Sequence, residues 1–209
     1  MSVEYGPSAF QRDLDVSRET LARLEKYAEL LQKWQAKINL VSRGSLKDLW
    51  RRHFLDSAQL APVIQKVGGA SPRCLDIGAG AGFPGMVLAI QNVGEWTLVE
   101  SDQRKTAFLA ELSRSAEVSV TLRGERIETM EAFAVDVITA RAVAPLERLL
   151  TYAKPFVAEQ TICLFPKGQR YAQEIDEARD RWDVEVEALP SLSDADGRIL
   201  LIRGLFHER

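Results

Sequence analysis

The sequence predicts an α/β fold: a mostly parallel seven-stranded sheet with helices on both faces, preceded by an N-terminal helical extension. Three observations predict it. From residue 71 onward, short apolar runs alternate with helical patterns. A glycine-rich loop, Gly78-Ala-Gly80-Ala-Gly82, joins the first of those runs to the helical pattern behind it. The first 70 residues instead carry most of their apolar residues at helical spacing.

The extension comes first. From Ser17, a plausible N-cap, apolar residues fall at Leu21, Leu24, Ala28 and Leu31, and Tyr27, Leu30, Trp34 and Ile38 widen the stripe. After a break at Ser42-Arg43-Gly44, Ser45 and Asp48 are placed to cap a second helix carrying Leu46, Leu49, Trp50 and Phe54. Trp34 and Trp50 lie on the apolar faces, which predicts core packing rather than base stacking. Gly68-Gly69-Ala70-Ser71-Pro72 then punctuates the chain. At 209 residues the chain is sized for one compact unit, read as a 1–70 extension packed on a 71–209 core.

In the core, strands are expected at 73–77, 96–100, 118–122, 135–139, 160–165, 183–189 and 198–203. Helices are expected at 83–92, 103–115, 146–156 and 169–181. Only the turn Pro190–Gly197 separates the last two strands, so an antiparallel hairpin is expected at the sheet edge. Cys74 and Cys163 sit inside apolar runs and read as buried free thiols of a reducing compartment. Two histidines and two scattered cysteines give no metal-ligand spacing, so no metal is expected.

The first strand, Arg73-Cys-Leu-Asp-Ile77, runs into Gly78-Ala-Gly80-Ala-Gly82-Phe-Pro-Gly85. Such a loop at the carboxyl end of a strand lets the backbone approach a ligand closely. A ligand-free tight turn is the plain alternative, but four glycines in eight residues argue against it. A dinucleotide loop needs Gly-x-Gly-x-x-Gly, and here Phe83 stands where its third glycine belongs. The pattern Asp76-x-Gly78-x-Gly80-x-Gly82 instead resembles motif I of class I, Rossmann-like, methyltransferases. Twenty residues past Gly80, the second strand ends at Glu100, an acid able to accept hydrogen bonds from both ribose hydroxyls of a nucleoside cofactor.

Several further segments converge. Trp34-x-x-Lys37-x-Asn39-Leu40, Arg52-His53-x-x-Asp56-Ser57, Gly82-Phe-Pro-Gly85, Arg126-Ile127-Glu128, Asp136-Val-Ile-Thr-Ala-Arg141-Ala142 and Lys167-Gly168 occur in one order over nearly the whole chain. Together they make the sequence resemble the ribosomal RNA small subunit methyltransferase G family, also called glucose-inhibited division protein B. The resemblance implies methylation of N7 of a guanine in 16S rRNA near the decoding centre, with S-adenosylmethionine as donor and S-adenosylhomocysteine as product. It implies cofactor contacts at Gly78, Phe83, Ile127, Glu128 and Arg141, to which the loop and strand reading adds Gly80 and Glu100. Two positions depart from the family pattern: Glu100 stands where aspartate is frequent, and Phe165-Pro166 precedes Lys167 where Ala-Leu is common. Pro166 has no backbone donor, which leaves the placement of Lys167 open.

Guanine N7 has a free lone pair, so this chemistry needs no general base and rests on alignment. Arg141 is expected to act at both cofactor and target, or else to pair with Asp136 or Glu147. Arg52 and His53 are read either as RNA contacts or as an Arg52–Asp56 helical pair with His53 against the core. Lys167 is expected to meet RNA phosphate. Arg104 and Lys105 open a helix beside the cofactor and either meet phosphate or are merely solvated.

The formal charge of −3 argues against a strongly basic nucleic-acid binder, but the charge is uneven. Residues 1–72 hold 11 basic and 8 acidic side chains, and residues 169–209 hold 6 and 10. RNA is therefore expected at the N-terminal part and middle, with help from shape or ribosomal context. The N-terminus lacks a basic segment followed by an apolar run, and no apolar stretch is long enough to span a bilayer. A cytoplasmic, monomeric protein away from membranes is expected. Two other readings remain: a class I methyltransferase acting on a small molecule or another nucleic acid, with the N-terminal helices as a lid, and a cofactor-fold binding protein without catalysis.

Overall fold

The run Arg73–Ile77 forms β1 at the centre of the sheet, buried from Cys74 to Ile77 as its continuous apolar character requires. The computed structural model describes residues 5–67, 71–204 and 207–208. Beside β1 lie β2 (Glu95–Val99) and then β3 (Thr121–Arg123) on one side. On the other lie β4 (Val135–Ala140), β5 (Val157–Lys167), β8 (Arg198–Arg203) and β7 (Val186–Pro190), giving the order β3-β2-β1-β4-β5-β8-β7. All neighbours pair in parallel except β8, which runs antiparallel to both β5 and β7. The hairpin expected from the short Pro190–Gly197 connection is thus present, with its second strand inserted between β5 and β7.

The order reverses at β1, whose neighbours are β2 and β4. A crevice opens at such a switch point, at the carboxyl ends of the strands. Alternation along β1 divides the interior. Cys74 faces a core built from the extension, α6 (Gly85–Ile90) and α7 (Gln103–Ser115), whereas Leu75 and Ile77 face α8 (Leu146–Ala153) and α9 (Tyr171–Arg179). Both cysteines are buried and free, as expected.

The extension begins with α1 (Pro7–Leu14), which the sequence reading missed because it offers only Phe10 and Leu14 to an apolar stripe. Pro7 suits a first helical turn, and Phe10 packs edge-on against Trp50 at 5.4 Å. α2 (Arg18–Gln35) is capped by Ser17, whose Oγ accepts from the Thr20 N–H. The second expected helix is different. Ser42, not Ser45, caps a short α3 (Arg43–Leu46), and Trp50–Leu55 winds as a π-helix into α4 (Asp56–Ala58) and then α5 (Ala61–Val67). Periodicity of 3.6 cannot reveal an i→i+5 turn, which shifts every later side chain by one position. Trp34 lies edge-on to Phe108 at 5.7 Å and Trp50 stacks on Phe54 at 4.5 Å, so both pack in the core.

Other boundaries moved for local reasons. β3 starts late because the Val118 N–H closes the end of α7 on the Ser113 carbonyl. α8 stops at Ala153 because Pro155 follows, and Lys154–Phe156 tightens to a 3-10 turn. The expected 183–189 strand divides into β6 (Trp182–Asp183), paired with β9 (His207–Glu208), and β7. The Gly68–Ala70 punctuation falls outside the described residues.

The glycine loop is fixed from below and above. Below, Asp76 is fully buried; its carboxylate accepts from the Gly85 N–H at 3.0 Å and from the Thr139 hydroxyl at 2.7 Å. A Cβ on Gly85 would stand 2.8 Å from that carboxylate and 2.5 Å from Leu98 Cδ2. Above, Tyr27 of α2 donates its hydroxyl to the Ala81 carbonyl. A Cβ on Gly82, whose φ is +95°, would lie 2.7 Å from that hydroxyl.

Two stability effects follow. Gly82→Ala combines left-handed strain with overlap and is expected to cost about 2–4 kcal/mol in urea unfolding; an unchanged midpoint would contradict the clamp. Burial pushes the Asp76 carboxyl up to about 7, against the lowering effect of its Thr139 and Gly85 hydrogen bonds. Between the ordinary carboxylate range and pH 7, the folded chain therefore holds a proton that the unfolded chain has released. Stability supplied by that proton declines as pH rises through this window, by at most about 1.4 kcal/mol per unit. Asp76→Asn, in which Thr139 can turn its hydroxyl to accept, is expected to remove that slope in unfolding series from pH 4 to 7.

Candidate functional site

The carboxyl ends of β1, β2, β4 and β5 open into a cleft of about 920 Å³. Gly78, Gly80, Phe83, Glu100, Lys105, Arg141, Lys167, Arg52 and His53 all line it, so most residues singled out from sequence converge in space. A volume of this size lies within the range of small-molecule sites.

The floor is the glycine loop. Gly78, Gly80 and Gly82 all have positive φ, which accounts for their alternate spacing. Glu100 follows β2. Its Oε2 accepts from the Gly80 N–H at 2.9 Å and its Oε1 from the Asp102 N–H at 2.8 Å. Each oxygen keeps a further acceptor site, which fits the vicinal hydroxyls of a ribose. Beside Gly80 a Cβ would meet nothing closer than a backbone oxygen at 3.7 Å, so this part of the cradle is open. These features fit a nucleoside cofactor.

Phe83 is placed differently from a simple ligand contact. Its ring is buried, stacked on Tyr27 at 5.1 Å, edge-on to Phe54 at 5.4 Å and 4.9 Å from His53. The side chain ties the loop to the extension, which leaves its backbone as the ligand-facing part.

Arg141 follows β4. Its Nη1 donates to the Arg52 carbonyl at 2.9 Å and to Asp56 Oδ2 at 3.1 Å, and its Nη2 to His53 Nδ1 at 2.6 Å. Its guanidinium lies 5.0 Å from the centre of the Phe83 ring. The alternative partners are otherwise engaged: Asp136 with Arg73 and Glu147 with Arg181. Asp56 likewise pairs with Arg141, not with Arg52, because the π-turn alters the four-residue spacing expected of a helix. An arginine only donates, so His53 Nδ1 accepts and its proton sits on Nε2. Burial, then Arg141 and Arg52, push the His53 pKa down to about 3, and the ring is neutral.

His53 and Lys167 form walls of the cleft: of the two readings of His53, packing against the core is the one observed, and Lys167, expected at RNA phosphate, is held by protein partners. His53 is only 8% exposed. The Lys167 side chain is 9% exposed and donates to the Ala144 carbonyl at 2.8 Å and to Glu174 at 2.7 Å. β5 reaches Lys167 despite Pro166 because pairing with β4 has ended at Leu164 and only β8 remains alongside. Arg52 and Lys105 line the cleft, and neither has an ion-pair partner among the described residues. Arg104 lies outside the lining, with its side chain 73% exposed and paired with Asp102, the N-cap of α7. Ile127 and Glu128 lie on a 3-10 turn after β3, also outside the lining, with Glu128 bound to Arg126 at 2.7 Å.

Sequence reasoning missed Tyr27 as part of the site, and Gln59, Ser191 and Ser193 altogether. Val143 was also missed: a Cβ on Gly78 would approach its Cγ2 to 2.7 Å. Only Asp56, inside the Arg52-His53-x-x-Asp56-Ser57 segment, left a signal.

Solved structures share this architecture. Ribosomal protein L11 methylase from Lactobacillus delbrueckii subsp. bulgaricus superposes with a TM-score of 0.58 at 14% identity, over 71% of this chain and 78% of that one. MtNAS in complex with MTA and tNA gives 0.61 at 16% identity, over 95% and 81%. These likenesses show a shared fold. Sequence relatives are nearer. The ribosomal RNA small subunit methyltransferase G of Paramagnetospirillum magneticum is 49% identical over 198 residues, 95% of either chain. That of Rhodospirillum rubrum is 49% identical over 196 residues, 94% of this chain and 96% of that one. The family profile for rRNA small subunit methyltransferase G matches residues 20–202, and with relatives this similar over nearly its full length the chain belongs to that methyltransferase family.

Proposed function

We propose that the chain methylates N7 of a guanine in 16S rRNA of the small ribosomal subunit, near the decoding centre, with S-adenosylmethionine as donor and S-adenosylhomocysteine as product. The observation that carries the reading is the Glu100 carboxylate, anchored by two backbone N–H groups beside an open glycine cradle. In this reading Glu100 takes the ribose hydroxyls, and the backbone of Gly78, Gly80 and Phe83 lies along the cofactor. Ile127 and Glu128 follow the carboxyl end of β3 as Glu100 follows that of β2, which suits them to the base end. Arg141 reaches both cofactor and target, with its Nε–H and one Nη2–H left for a ligand.

When bound, S-adenosylmethionine supplies an electrophilic methyl group on sulfur. The chain's task is alignment, because N7 presents its lone pair without losing a proton. The neutral His53 therefore serves the wall and the placement of Arg141, and no side chain has to act as a base. Arg52 and Lys105, with the exposed Arg104 next to Lys105 in the chain, offer charge to RNA phosphate. Lys167 shapes the opening by holding the Ala144 carbonyl to Glu174. Positive charge that develops on the guanine is favoured by acceptor groups of the cleft lining. The basic opening favours a polyanion over a small molecule. Among the described residues no helix is long and apolar enough to cross a membrane, and a monomer acting in the cytoplasm fits the reading.

Two measurements test this. rRNA from a strain lacking the gene, cleaved chemically at N7-methylguanine and mapped by primer extension, is expected to lose one stop near the decoding centre; a stop that persists overturns the substrate assignment. Glu100→Ala is expected to weaken S-adenosylmethionine binding at least tenfold in calorimetry while the circular dichroism spectrum is retained; unchanged affinity overturns the ribose assignment.

A further inference from the structure

Asp56 joins three distant parts of the chain. Its Oδ2 holds Arg141, 85 residues away, at 3.1 Å. Its Oδ1 accepts from the Ser193 hydroxyl, 137 residues away, at 2.5 Å, and from the Gln59 amide at 3.1 Å. Gln59 in turn accepts from the Leu192 N–H at 2.6 Å and contacts the Ser191 hydroxyl at 3.3 Å. One carboxylate therefore seats both the arginine after β4 and the turn between β7 and β8 against the extension. Asp56, Arg141, Ser191 and Ser193 all line the cleft.

The pair is sheltered, with side chains 16% and 15% exposed, so its hydrogen bonds are stronger and its geometry tighter than on an open surface. Among the described residues Asp56 is the one carboxylate within ion-pair distance of Arg141. His53 accepts a bond from the guanidinium but, being neutral, does not offset its charge.

We infer that Asp56 is a positioning residue for methyl transfer: it sets the Arg141 guanidinium and the 191–197 turn in one register, so the arginine and that wall of the cleft, between which the target nucleotide must enter, are placed together. This rests on the rRNA-methylating reading above. Asp56 itself need touch neither cofactor nor guanine.

The test uses the full chain with small ribosomal subunits for turnover and S-adenosylmethionine alone for calorimetry. Asp56→Asn keeps an oxygen for Ser193 and Gln59 but removes the charge facing Arg141. It is expected to lower kcat at least tenfold and to weaken cofactor affinity several-fold, with Asp56→Glu recovering part of both. In an Arg141→Gln background, Asp56→Asn is expected to add no further loss. Losses that multiply across the pair, or a folded Asp56→Asn chain with wild-type kcat and affinity, overturn the proposal; a group that only stabilised the fold would behave in that last way. Ser193→Ala, at a partly exposed turn, is expected to raise KM for the subunit several-fold; an unchanged KM overturns the proposal whether or not Asp56→Asn folds. Should the wild-type chain bind S-adenosylmethionine yet methylate no subunit, the functional reading fails, and the calorimetric comparison still decides the role of Asp56.

Discussion

The burial of one ring, Phe83, decides how the rest of the site is built. It stands in the middle of the glycine loop, where a dinucleotide fold would carry a glycine, and it inserts among Tyr27, Phe54 and His53 of the extension. Burying an aromatic side chain this size contributes about 2–3 kcal/mol. Here that burial also anchors the loop, whose side chains ahead of Phe83 are small: Ala79 and Ala81. The extension and the sheet consequently share one apolar core, running from Phe10 through Tyr27 and Phe54 to Met86 and Leu109. The extension supplies one wall of the cleft.

From that constraint the electrostatics follow. Pressing the extension onto the loop brings His53 and Asp56 to the carboxyl end of β4, where Arg141 is waiting. Three of the five guanidinium N–H groups find protein acceptors, and the Phe83 ring lies under its plane. The cation is pre-organised before any ligand arrives, so little ordering remains to be done on binding. The same logic applies beneath the loop, where Asp76 gives both oxygens to structure, and at β5, where Lys167 is held between Ala144 and Glu174.

How much of this the sequence disclosed depended on the range of the interaction. The seven strands, the switch to helical spacing and the glycine cradle rest on local patterns, and these were legible. So was the place of Glu100 just past the end of a strand, where its carboxylate accepts from the Gly80 and Asp102 N–H groups. Tyr27 read as one more apolar position on an amphipathic stripe, since nothing local shows that its hydroxyl reaches Ala81. An Arg52–Asp56 helical pair was one of two readings of that segment, and the π-turn at Trp50–Leu55 gives Asp56 to Arg141 instead. Lys167 was expected to meet RNA phosphate; the Ala144 carbonyl and Glu174, seven residues later on α9, hold its ammonium in the cleft wall. Partners brought together by tertiary packing, at separations of 54 to 137 residues, leave no periodic trace.

The central claim is that the extension holds the cofactor loop in its binding shape. It is tested most directly by calorimetric titration of S-adenosylmethionine into the Tyr27→Phe chain. This change keeps the ring stacked on Phe83 and removes only the hydroxyl bound to the Ala81 carbonyl. Affinity several-fold weaker than wild type, with the fold retained, is the result this account predicts. Wild-type affinity would contradict it and would make the extension a neighbour of the site rather than part of it.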